Sequence, residues 1–386
     1  MKRDPSHKNI VFCAEHYNPL GLIRALGNIK GGGYIIAIIV RSKPRFPSLS
    51  KYIDKLHRVN SIDEGYELLM KKYSDEKIKP VLFTCDDRIT SYLDMKYDEL
   101  KGKFLFFNAG SAGRITEFMN KKAILDIAEK NGMRVLKTTL VERGQIPDDI
   151  EYPIITKASS PNAGAWKGDV FICRNRDELV EAYTQIQSEQ VLLQKYIEKE
   201  NELCLDGFCI NNGKDTAITI ASDYVYLLPD TYSPYMNVYS FKDEELFDKI
   251  KRLFADIGFE GIFSMEFLLD RDGTLYFSEI NFRHSTWAYA SACAGMNIPE
   301  LYIDALRTGR IDRDRYVEIP DGFRAMVEID DMTERVKRQR MGLFKWIKEA
   351  KSCGCLFYLS KHDLRPSFHA FIRLVYICIK KILHKK

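Results

Sequence analysis

The stretch Phe263–Arg283, FSMEFLLDRDGTLYFSEINFR, holds two alternating apolar/polar runs around Asp270-Arg271-Asp272-Gly273. That four-residue centre has hairpin-turn composition, so the runs are expected to pair antiparallel. In such a pair Glu266 and Glu279 fall opposite or nearly opposite, depending on the turn type. Carboxylates so placed lie roughly 5 Å apart and repel. The period of two also puts Glu279, Asn281 and Arg283 on one face. Two carboxylates and an amide oxygen suit a hard cation such as Mg²⁺, shared with phosphate oxygens. Arg283 is then placed to grip a phosphate or a developing negative charge. The competing reading is an exposed sheet face of mixed charge.

Upstream, the first ~115 residues alternate strand and helix signals. Ile10–Ala14 is an apolar run followed by a helical pattern over Pro19–Ile29. Tyr34–Val40 is continuously apolar, as in a strand buried on both faces of a parallel sheet. Asp63–Tyr73 reads as a helix, and Val81–Thr84 and Phe104–Phe107 as further strands. This order predicts a parallel α/β sheet. No GxGxxG follows the first strand, which argues against a nicotinamide cofactor, and no GxxxxGK[ST] occurs anywhere. Asn120–Gly132 has helix signals, with Asn120 as cap. Beyond it strands dominate, at Pro153–Lys157, Val170–Cys173, Val191–Ile197 and Leu203–Ile210. Helices are expected at Asp177–Ser188 and Asp243–Ile257. Lys121 opens the helix after Asn120, and Lys157 ends the apolar strand YPIITK. Each lysine taken alone reads more readily as a surface residue than as a ligand.

The composition sets bounds. Of 386 residues, 45% are hydrophobic and 29% charged, enough for two or three packed domains and against global disorder. The Pro and Gly counts, 13 and 23, exclude fibrous and low-complexity classes. Nine cysteines without a CxxC pair read as reduced thiols, and no His/Cys cluster has zinc-ligand spacing. The start reads as lacking a signal peptide, and no 18-residue apolar run is present to span a bilayer. The net charge of +4 conceals an asymmetry. Residues 335–386 carry 14 Lys+Arg against 2 Asp+Glu, or +12, which leaves −8 for the remainder.

Four elements occur in order: Lys121 heading KKAILDIAEKNGMRV, then YPIITK, VLLQKYIEKENE and FSMEF…YFSEINFR. Together they resemble the ATP-grasp superfamily, closest to its carboxylate–amine ligase branch, which includes D-aspartate ligase. The resemblance covers roughly residues 10–310. It implies an α/β fold with a parallel N-terminal domain (1–118), a small lid subdomain (119–197), and a C-terminal α+β subdomain (198–310). A basic helical extension (311–386) follows. It also implies ATP with Mg²⁺ or Mn²⁺. Lys121 and Lys157 match the lysines on the ATP phosphates. Gln194, Lys195, Tyr196 and Ile197 match the hinge that reads adenine, with the Gln194 amide oxygen as acceptor. Glu202 matches the ribose carboxylate. Glu266, Glu279 and Asn281 match the metal ligands, and Arg283 the arginine beside the γ-phosphate. His284 and Ser285 follow as candidate substrate contacts.

The chemistry so implied is phosphorylation of a carboxylate by ATP, then attack of an amine on the acyl phosphate. Residues 159–168 are the candidate lid. The branch points to an amino acid joined to a cell-wall or surface-polysaccharide precursor, lipid- or nucleotide-linked, in the cytoplasm. It also makes a homodimer an expectation. The rivals are an ATP-grasp kinase and a non-catalytic nucleotide-binding scaffold. In the tail, Phe368, Phe371 or Ile372, Val375 and Ile379 recur at helical spacing. A helix over 367–386 is expected either to dock on the core or to lie at the inner face of the membrane. Nucleic acid is not expected as a partner, because no recognition module accompanies the basic residues.

Overall fold

The computed structural model describes residues 3–158, 168–228 and 232–383; the side chains of Cys378 and of 380–383 are left aside. Three sheets organise the chain. The first is parallel: β1 (Asp4–Ala14), β2 (Gly33–Val40), β3 (Lys55–Val59), β4 (Val81–Thr84) and β5 (Leu105–Phe106), in the order β3-β2-β1-β4-β5. Its central strands read IVFCA and YIIAIIV because helices cover both faces and leave no wet side. The strand order reverses between β1 and β4, and ligands of open α/β sheets bind at the carboxyl end of such a point.

The second sheet is antiparallel: β6 (Thr138–Glu142), β7 (Ile154–Ala158), β8 (Ile172–Cys173) and β9 (Gln190–Lys195), in the order β6-β9-β7-β8. It has a small core of its own, made by Val141, Ile154, Val191 and Leu193 against Leu179 and Ala182 of the helix Arg176–Gln185.

The third sheet has seven strands. They are β10 (Lys199–Ile210), β11 (Asp215–Tyr224), β12 (Tyr235–Tyr239), β13 (Gly261–Asp270), β14 (Leu275–Asn281), β15 (Arg324–Met326) and β16 (Cys355–Leu356). Their order is β14-β13-β10-β11-β12-β15-β16. This sheet shares one core with the first, in which Val11, Ile35 and Phe83 join Phe208, Phe254 and Phe263. Among the described residues no comparable core ties the second sheet to either, so it is the element least constrained by burial.

One expectation needs correction here. Residues 311–386 are more than a helical extension. They lend β15 and β16 to the central sheet, and Phe357 and Tyr358 pack with Tyr17, Phe46 and Trp287 in a second shared core. The aromatic residues on either side of 229–231 end β11 and form β12.

Candidate functional site

The site is built on the hairpin β13–β14. Glu266 pairs directly with Glu279, and Ser264 with Asn281. One residue further along, Phe267 pairs with Phe277, so Ser278 is the extra residue of a β-bulge. The bulge explains the burial pattern. Phe277, Ile280 and Phe282 all enter the core, at a spacing of three then two that an unbroken strand cannot place on one side. Glu279, Asn281 and Arg283 are thereby left together on the other face, beside Glu266.

These side chains form a connected set. Lys121 Nζ donates to Glu279 Oε2 at 2.7 Å, across from the first turn of the helix Lys121–Lys130. Asn281 Nδ2 donates to Glu266 Oε1 at 3.1 Å, and Arg283 Nη2 donates to Asn281 Oδ1 at 2.8 Å. Arg283 also forks onto Asp87, with Nε to Oδ1 at 2.7 Å and Nη2 to Oδ2 at 3.0 Å. Asp87 opens the helix Asp87–Met95 at the carboxyl end of β4, beside the switch point of the first sheet. The exposed His16 follows β1 at the same end.

The electrostatics are unequal. Burial, with Glu279 and then Glu202 adding negative charge, raises Glu266 well above the usual carboxylate range. Glu279 is lowered, first by the Lys121 ammonium. Burial opposes the charge on Lys121, but Glu279 and Glu266 outweigh it and raise its pKa. Lys157, on β7, is lowered to about 8 by burial and by Lys121. A field strong enough to disfavour charge on Glu266 is one that a cation would relieve. The donor set fits Mg²⁺ or Mn²⁺: two paired carboxylates and an amide, all hard, leave coordination positions for phosphate oxygens. Among the described residues no three His, Cys, Asp or Glu side chains converge, so this is not an all-protein metal cage.

The other predicted residues divide. Lys157 Nζ donates to Gln194 Oε1 at 2.8 Å, and Gln194 Nε2 donates to Thr138 Oγ1 at 2.9 Å. The amide oxygen expected to face adenine is therefore engaged by Lys157. Lys195 projects to the opposite side of β9, exposed and 3.4 Å from Glu151. The Lys195 and Tyr196 N–H groups bond Lys137 O and Pro153 O, both at 2.9 Å, and Tyr196 and Ile197 are half-buried. Glu202, on β10, accepts from Lys199.

His284 and Ser285 are not at an open surface. His284 is fully buried; its ring and carbonyl bond the Asn18 side chain at 2.9 and 2.8 Å. Burial and the nearby Arg283 push its pKa down to about 3, so the ring is neutral. Ser285 donates to the buried Asp206 and accepts from the Ala288 N–H at 3.2 Å, at the start of the helix Ala288–Cys293. Both residues are spent on joining elements. The candidate lid 159–168 lies, except for Gly168, outside the described residues. Sequence reasoning missed Asp87 and Thr138. Asp87 had a signal: Asp86-Asp87 after an apolar strand supplies one carboxylate for the cap and one to spare.

Residues 116–304 match the family model described as "Carbamoyl-phosphate synthase L chain, ATP binding domain". The chain has an ATP-grasp fold. It is 28% identical over 189 residues to the 2-oxoglutarate carboxylase small subunit of Hydrogenobacter thermophilus, a match covering 45% of this chain and 38% of that protein. The solved biotin carboxylase domain of the 2-oxoglutarate carboxylase from that organism was captured with MgADP and bicarbonate. It superposes with a TM-score of 0.63 at 18% identity, over 82% of this chain and 73% of that one. An L-amino acid ligase from Bacillus licheniformis superposes with a TM-score of 0.59 at 13% identity, over 79% and 74%. The ATP-grasp elements of this chain thus run from the helix Lys121–Lys130 through the bulged hairpin.

Proposed function

We propose that the protein is an ATP-dependent ligase that forms an amide between a carboxylate and an amine, releasing ADP and phosphate. One observation carries this reading: the Glu266/Glu279 pair shares a face with Asn281 and Arg283 and meets Lys121 there. In the first step a carboxylate oxygen of the substrate attacks the γ-phosphorus of ATP, and the bond to the β–γ bridging oxygen breaks, giving ADP and an acyl phosphate. In the second, the amine nitrogen attacks the acyl carbon, phosphate leaves with the former carboxylate oxygen, and the amine proton passes to solvent.

Lys121 and Lys157 bind the ATP phosphates. Arg283, held at a fixed angle by Asp87 and Asn281, stabilises charge on the phosphoryl group in flight. Glu266, Glu279 and Asn281 hold the metal, Mg²⁺ or Mn²⁺, which when bound neutralises phosphate charge. Glu202 takes the ribose, and backbone of the Gln194–Ile197 segment borders the adenine. Gln194 itself orients Lys157. The acid enters from the carboxyl ends of β1 and β4, between His16 and Arg283. The relatives named a carboxylase and an L-amino acid ligase support carboxylate activation as the common step. Within that class we favour an amino acid joined to a cell-wall or surface-polysaccharide precursor, by an enzyme acting as a homodimer.

Trapping with hydroxylamine tests the reading, because it converts an acyl phosphate to a hydroxamate whatever the natural amine is. With ATP, Mg²⁺ and a panel of amino acids and sugar acids, a hydroxamate should form with one acid. A stable phosphorylated product in its place would identify a kinase. Nucleotide binding without ADP formation would identify a scaffold.

A further inference from the structure

The C-terminal helix Leu364–Leu383 has two apolar faces. One docks on the core: Ala370 and Leu374 are 0% and 6% exposed and join the cluster of Phe357, Tyr358 and Trp346. The other faces outward. Leu364, Phe368, Phe371, Ile372, Val375 and Ile379 recur at intervals of three and four and are between 41% and 68% exposed. Arg365 and Arg373 lie between the two faces on the helical wheel. The preceding helix, Leu343–Ser352, adds Phe344, 89% exposed and beside the exposed Lys345. The sequence posed docking and surface contact as alternatives; this helix has a face for each.

We propose that the outward face of this helix is a docking surface for an anionic lipid bilayer, which it meets lying parallel to the membrane plane. Among the described residues no helix is long and apolar enough to cross a membrane, so the contact is interfacial. Charge decides the occupant. Residues 364–386 carry six Lys+Arg and no Asp or Glu, whereas Arg335 and Arg338 further upstream are paired with Asp331, Glu349 and Glu334. A second copy seated symmetrically on the same face would oppose two such segments and repel. An anionic surface is attracted by the basic residues and receives the aromatic and aliphatic side chains at its interface. Arg373 also lies over the Phe46 ring, 5.9 Å from its centroid, in the loop that follows β2 on the carboxyl-end side of the first sheet. The docked face therefore adjoins the end of the molecule where that sheet presents its loops. The proposal does not depend on the reaction assigned above.

Co-sedimentation of the full chain with vesicles tests it. Wild type should sediment with phosphatidylcholine vesicles containing phosphatidylglycerol, and should be released by high salt. It should not sediment with phosphatidylcholine alone. The double variant Phe371→Gln/Ile372→Gln changes only exposed positions. It should keep the wild-type melting temperature and bind the anionic vesicles roughly tenfold or more weakly. Absence of wild-type binding, equal binding to both vesicle types, or equal binding by the variant would overturn the proposal. So would a wild-type dimer that the variant converts to monomer without any vesicle binding.

Discussion

Lys157 holds its proton less tightly than an ordinary lysine. Its pKa of about 8 lies below the ordinary 10.5 because it is buried near Lys121. ATP phosphates would reverse that balance and restore the proton. At pH 8, binding of ATP should therefore take up roughly half a proton, which calorimetry in buffers of different ionisation enthalpy reads directly. Lys157→Met should abolish the uptake, and an unchanged uptake in that variant would exclude Lys157 as its source. The same shift fixes a sign for stability. Between about 8 and 10.5 the unfolded chain holds the Lys157 proton more tightly, so this group adds stability as pH rises through that window. Arg283 makes a second test. Removing its partner by Asp87→Ala leaves a mostly buried guanidinium with only Asn281, and should cost about 1–3 kcal/mol in chemical denaturation. Arg283→Lys should not restore activity, because a point charge cannot span Asp87 and Asn281 together.

At the scale of the element, the bulge at Ser278 is one extra residue in β14. Deleting Ser278 removes the extra residue and leaves Phe277, Glu279, Ile280, Asn281, Phe282 and Arg283 strictly alternating, so the three apolar and the three polar side chains keep their faces. The expected outcome is a soluble protein with a regular hairpin, and insoluble protein on expression would mean that the bulge itself is required for the fold. The hairpin itself was legible, because alternation and turn composition agree over Phe263–Arg283. The bulge was also present in the sequence, as the odd spacing of Phe277 and Ile280, but alternation alone does not read it. β15 and β16 were hidden for another reason. Three and two residues are too few to show a period, and what anchors β16 is remote. The buried Glu328 carboxylate accepts the N–H groups of Phe357, Tyr358 and Leu359 at 2.8 to 3.2 Å. Gln194 shows the limit for site residues. Its place on the strand could be read, but not which of two polar groups, Lys157 or a ligand, would hold its oxygen.

Across the whole molecule, the chain closes on itself. Arg24, from the first helix, donates to Asp363 Oδ2 at 3.1 Å and to the carbonyls of Phe357 and Tyr358 at 2.7 and 3.0 Å, all buried. Asp363 also accepts from Ser50 Oγ at 2.8 Å and Lys51 N–H at 3.0 Å. Cutting one partner strands a buried charge, so Asp363→Ala should destabilise by about 3–5 kcal/mol, read as a lower denaturation midpoint. The first and third sheets, sharing a core, form the rigid floor of the site, while the second sheet carries Lys157 on a separate small core. In the proposed reaction phosphoryl transfer falls on the hairpin face, with Lys157 supplied from the second sheet. We place the release of the ATP γ-phosphate at this hairpin face. This assignment is tested most directly by the rate of ADP formation, with Mg²⁺, hydroxylamine and the accepted acid, in wild type and in Glu279→Gln. A loss of at least about a hundredfold is expected in a variant that melts as a folded protein. Wild-type turnover by folded Glu279→Gln would contradict it.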